Sequence, residues 1–250
     1  MTTTRINLRD ILDEFDAAAQ KARSLAFPVR DAELQRKHVT ELMQLHDRLR
    51  AIKRATTKAK REDIANEFLG VQCLARALAE ELNMWIALHT GDPHAAWEAL
   101  FQAQDHVSVA FRAVPNNPTI QDYARRLSTL EAILFPKLVF LSAGFEHSGG
   151  KCSVCHEPFD KCSHVEGRIY CGAVCAEIDF SAVELDHVSV VDSPRDKRCY
   201  AHSYQEEDGV WRDTMTRLPL DPQPQATGDS PGRCIECVIF TNKTSAGVDP

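Results

Sequence analysis

Only one of the nine cysteines, Cys73, falls in the first 150 residues of this 250-residue chain. That half has no ready thiol pair for a disulfide or a metal. No window approaches the roughly 18 apolar residues of a membrane-spanning helix. The opening segment, MTTTRINLRD, lacks the apolar stretch of a secretory signal. These absences lead to the expectation of a cytoplasmic chain with reduced thiols and no membrane partner. Also missing are a phosphate-binding P-loop, a dinucleotide fingerprint, a Gly-x-Ser-x-Gly elbow and the His-Glu-x2-His and deaminase zinc signatures. The helical part carries neither the Glu-x2-His pairs of a di-iron bundle nor an arginine five to seven residues ahead of a histidine, as in helical RNA-cleaving domains. Enzyme signatures are therefore scarce. A formal charge of −7 argues against the whole chain coating nucleic acid.

What is present divides at Gly149-Gly150, where an Ala/Leu/Glu/Arg-rich composition gives way to one rich in Cys, Val, Asp and Pro. Residues 1–147 read as all helical. Asn7 or Asp10 caps a first helix that ends at Pro28. A second runs over about 31–57, with Leu34, Val39, Leu42, Leu45, Leu49 and Ile52 at helical spacing. A third covers about 61–90 and stops at Gly91. Asp92-Pro93 is a cap followed by a first-turn proline for the fourth, which ends before Pro115. Thr119 caps the fifth. Short loops make this an antiparallel bundle. Farther on, 185–191 has strand character, with shorter candidates at 199–204 and 210–218. The expected fold class is α+β, in three parts: a helical bundle (1–147), a small zinc-stabilised module with short strands (150–218), and an extended tail (219–250).

Between Cys152 and Cys175 five cysteines and two histidines share 24 residues. Cys152-x2-Cys155 can grip one ion from a tight turn, and Cys162-x-His164 can close a tetrahedron of three thiolates and one imidazole. His156 is the rival imidazole, set aside because it directly follows Cys155. Asp160 and Lys161 are candidates for supporting the ligands. Filled by four protein donors, the site reads as structural Zn2+, despite Glu157 and Glu166 nearby. A second metal would draw on Cys171, Cys175, Cys199, His202, Cys234 and Cys237. Cys171/Cys175 could join either Cys199/His202 or the tail pair; otherwise these are buried or redox-active thiols.

Residues 48–61 hold Arg48, Arg50, Lys53, Arg54, Lys58, Lys60 and Arg61 and no acid. They offer a contact face for nucleic acid or another polyanion, against the plainer reading of a solvated helix end. Trp85, Trp97, Phe101 and Phe111 fit bundle core better than a ligand pocket. His89, His94 and His106, with Glu98 and Asp105, suggest a polar pocket near the Gly91 turn.

Cys152, Cys155, Cys162 and His164, then Gly167, Tyr170, Gly172 and Cys175, then Val188–Asp192 with Pro194, together resemble a recurring bacterial module. Similar segments occur in bacterial proteins of unassigned role and near some phage prohead-protease-like proteins. Trp97, Ala103-Gln104 and Leu134-Phe135-Pro136 extend the likeness over about residues 80–200. The resemblance implies a zinc-bearing accessory module and supplies no activity; Cys171, Cys199, Cys234 and Cys237 depart from it. The leading expectation is a zinc-finger-like binding or regulatory protein with a protein partner. The alternatives are a nucleic-acid binder using residues 48–61 and a zinc-dependent hydrolase.

Overall fold

A computed structural model describes residues 8–26, 29 and 31–222. Five helices come first: α1 (Leu8–Leu25), α2 (Ala32–Lys58), α3 (Glu62–Thr90), α4 (Pro93–Ala113) and α5 (Pro118–Leu134). The signals that start and stop them are those of the sequence. The Asp31 carboxylate accepts from the Leu34 N–H, Asp92 accepts from Ala95, Pro93 opens α4, and Gly91 ends α3 in the left-handed conformation. The fifth helix is the exception. Asn117, rather than Thr119, caps it, its side-chain oxygen accepting from Thr119 and Ile120, with Pro118 as the first helical residue.

The helical stripe of α2 buries Leu42, Leu45 and Leu49, of which Leu45 and Leu49 cluster with Ile11 of α1 and Phe68 and Ala75 of α3. Leu34, expected on that stripe, is exposed, as is Phe111 of α4; Trp85 and Trp97 are buried as expected. The central helix, α3, packs against α1, α2 and α4 and is buried on more than one face. It therefore carries charge inside. Glu80 receives hydrogen bonds from Arg76 and Asn83, and Glu81 pairs with Arg126 of α5.

Eight strands follow: β1 (Phe140–Ser148), β2 (Lys151–Cys152), β3 (Ile169–Tyr170), β4 (Ala173–Val174), β5 (Glu177–Ile178), β6 (Ser181–Val191), β7 (Ser203–Gln205) and β8 (Trp211–Asp213). They pair two by two, all antiparallel: β1 with β6, β2 with β5, β3 with β4, and β7 with β8. The strand β1 corrects the all-helical reading of 1–147. Pro136 ends helical propagation, and residues 140–148 pair antiparallel with β6. Gly144 of β1 sits opposite His187, whose imidazole would lie 2.5 Å from any Cβ placed there.

Contacts group the described residues into two compact units. One joins residues 8–131 with 150–179; the other joins 132–149 with 180–222. The cysteine-rich segment thus groups with the helices. In the second unit, Leu141 donates to the Cys199 carbonyl and Ala201 to that of Val139. This bonding brings Tyr200 beside Phe140. The tail from 223 to 250, with the Cys234/Cys237 expectation, lies outside the described residues.

Candidate metal centre

Residues 150–159 fold into a small loop closed at its base. The Cys152 N–H donates to the Glu157 carbonyl, His156 N–H to that of Cys152, and Phe159 N–H to that of Gly150. The tip carries Cys155. A single 3-10 turn, Phe159–Lys161, then delivers Cys162, whose N–H donates to the Phe159 carbonyl. His164 follows two residues later. Its ring meets Tyr170 edge-on, with centroids 4.6 Å apart, and the Tyr170 hydroxyl accepts from the Val165 N–H. Tyr170 therefore orients the imidazole.

This folding brings the sulfurs of Cys152, Cys155 and Cys162 and one nitrogen of His164 within 4.8 Å of one another. The set is the quartet expected from the sequence; His156, whose φ is 62°, is not part of it. Cys162 Sγ and His164 Nδ1 stand 3.3 Å apart, close to the roughly 3.5 Å edge of a tetrahedron with zinc-like bond lengths. Backbone N–H groups already address the sulfurs: Val154 donates to Cys152 Sγ at 3.4 Å and His164 to Cys162 Sγ at 3.1 Å.

Charge explains why such a set favours a cation. Burial works against ionising Cys152, but N–H donors from Cys155 and Val154 and the adjacent thiols bring it down to about 6. Burial, and then the neighbouring sulfurs, push Cys162 up to about 11 and Cys175 to about 12. Without a positive charge among them, one thiolate suppresses the next. The donor set fits a thiophilic divalent ion, with soft sulfur unsuited to magnesium or calcium.

The cysteine-rich segment is tied to the helices through the β3–β4 turn. Thr57 Oγ1 donates to the Cys171 carbonyl at 2.9 Å, and the Gly172 N–H donates to Asn66 Oδ1 at 2.7 Å. The Cys171 N–H donates to Glu62, and Arg112 of α4 donates to the Gly167 carbonyl at 2.7 Å. Gly172 is required twice over. Its φ is +79°, and a Cβ would come within 3.0 Å of the Ala65 carbonyl and 3.1 Å of Lys53 Cγ.

The other expected site residues fare unevenly. Cys171 turns its thiol toward the Thr57 carbonyl. Cys175 leaves the second-site scheme and stands with its sulfur 3.8 Å from that of Cys152. Cys199 and His202 lie in the second unit, where the His202 ring stacks on Tyr200. Among the described residues no second group of three or more metal-binding side chains converges, which includes His89, His94 and Glu98. His106 instead lies in a polar seam with His46, Gln72 and Arg76; burial first, then Arg76 and His46, lowers its pKa to about 4. Gln72 donates to His46 Nε2 at 3.0 Å.

In the basic stretch, Lys53 is 2% exposed, so it cannot serve as a polyanion contact. It continues the Leu42-Leu45-Leu49 stripe, and burial lowers its pKa. Arg48 is paired with Glu14. Arg50 is half-buried; Arg54, Lys58, Lys60 and Arg61 are exposed.

No helix of the described residues is long and apolar enough to cross a membrane. Neither a protein-family model, nor a curated protein, nor a solved structure matches this chain.

Proposed function

We propose that the chain binds one structural zinc ion through Cys152, Cys155, Cys162 and His164, and acts as a cytoplasmic binding or regulatory protein rather than an enzyme. The observation that carries this reading is the convergence of four protein donor atoms within 4.8 Å. Four such donors complete a tetrahedral shell and leave no position for a reacting water, which weighs against the hydrolase alternative. The likeness to a bacterial zinc-bearing accessory module points the same way. Held by the quartet, the 150–179 segment would present a fixed surface over α2 and α3, and a protein partner is the reading best matched to such a scaffold.

A second reading, binding of a polyanion such as nucleic acid, is favoured by the exposure of Arg54, Lys58, Lys60 and Arg61 around the α2–α3 turn. It has lost Lys53 and shares Arg48 with Glu14. Affinity for DNA or RNA that is insensitive to salt would sink it.

Titration of the full chain with Co2+ tests the metal reading. Uptake should stop at one equivalent with the intense visible bands of tetrahedral cobalt, and zinc should bleach them. A weak octahedral spectrum, or no uptake, would overturn the proposal.

A further inference from the structure

We propose, building on that metal reading, that Cys175 is a fifth donor of the centre, able to replace His164 and convert a three-thiolate shell into a four-thiolate one. Its sulfur lies 3.8 Å from Cys152 Sγ, which is the edge length, about 3.8 Å, of a tetrahedron with 2.3 Å metal–sulfur bonds. The side chain is 1% exposed and stands beside the quartet. Two buried cysteine sulfurs at that separation, with no disulfide between them, are spaced for a shared thiophilic cation.

The backbone makes this approach a built feature. Cys152 lies in β2, and Glu177 of β5 pairs directly with it. The Ser153 N–H donates to the Ala176 carbonyl, the Ala176 N–H to Ser153 Oγ, and Ser153 Oγ to the Val174 carbonyl. Cys175 itself donates to the Arg168 carbonyl and accepts from the Gly167 N–H. Three hydrogen bonds through Ser153 therefore fix the residues flanking Cys175 relative to Cys152, and two more hold the Cys175 backbone against Gly167 and Arg168. His164 is held more lightly, through its packing on Tyr170 and its N–H to Cys162 Sγ. The better-anchored donor is the one in reserve.

In the exchange, the metal–Nδ1 bond breaks and the imidazole leaves neutral. A metal–sulfur bond to Cys175 forms, and its thiol proton passes to solvent. No electron is transferred. The shell becomes Cys152, Cys155, Cys162 and Cys175, the softer of the two sets, and frees His164 and the loop that carries it.

The test compares Co2+ spectra of full-length wild type, His164→Ala and His164→Ala/Cys175→Ala. His164→Phe serves as a second variant that keeps a ring against Tyr170. Wild type should give the three-thiolate spectrum. Either His164 variant should still bind one tetrahedral cobalt, with sulfur-to-cobalt charge-transfer intensity raised by about one third, as a fourth thiolate replaces nitrogen. Adding Cys175→Ala should abolish that gain. A His164 variant whose intensity does not rise, or whose spectrum ignores Cys175→Ala, overturns this inference alone. A wild type that takes up no cobalt overturns the metal reading and this inference together.

Discussion

Removing the metal with a chelator, or replacing Cys152 with serine, should unfold residues 150–179 and leave the helices standing. Because the unfolded segment has no preformed site, binding free energy at a structural zinc site is folding free energy, on the order of 10 kcal/mol for such sites. The segment has little else. Its strands β2 to β5 are two residues each, too short to hold together alone. The bonds from Thr57, Glu62, Asn66 and Arg112 attach it to the helices but do not give it a core. The helical core of Ile11, Leu45, Leu49, Phe68 and Ala75 contains no residue from the segment. Hydrogen exchange should therefore show lost protection in 150–179, with helical circular dichroism nearly unchanged. Residues 180–222 group with 132–149, so they should keep their protection. Undiminished protection of 150–179 in the metal-free chain would show that the quartet does not organise this segment.

Glu81→Ala should cost the helices about 3 kcal/mol of stability. Glu81 is 2% exposed on α3, paired with Arg126 of α5. The Glu81 charge also bears on Tyr123, whose pKa burial first, and then Glu81, push well above the ordinary phenol value. Truncation strands the Arg126 guanidinium. Arg126 reaches partly to solvent, which keeps the loss at the lower end of the range for a buried pair. Pairing the change with Arg126→Leu should recover part of the loss, because the remaining uncompensated charge is gone. Urea unfolding measures both. A Glu81→Ala loss under about 1 kcal/mol would mean the pair is solvated enough to be replaced by water.

Much of the helical half was legible because its punctuation is local. Asp31, Gly91 and Asp92-Pro93 act through their own backbone neighbours, so a sequence reader sees the whole interaction. The metal quartet was legible for the same reason, since Cys152/Cys155 and Cys162/His164 are each set by a single turn. What was missed depends on distant partners. Strand β1 is a strand because β6, about forty residues on, supplies its hydrogen bonds. Glu80 and Glu81 look like solvent-facing charges until α3 is seen to be covered by neighbours on several sides. Lys53 did leave a signal: it falls four residues after Leu49 on the apolar stripe, where a charge is out of place. Cys175 left none. Its approach to Cys152 rests on the β2–β5 pairing, and from spacing alone it grouped with Cys171, whose thiol in fact points to Thr57.

X-ray absorption at the zinc edge of the purified, zinc-loaded chain probes the centre most directly. The expected shell is three sulfurs at about 2.3 Å and one nitrogen at about 2.0–2.1 Å, with no water. An oxygen-rich shell, or three protein ligands with a bound water, would contradict a closed structural site formed by Cys152, Cys155, Cys162 and His164.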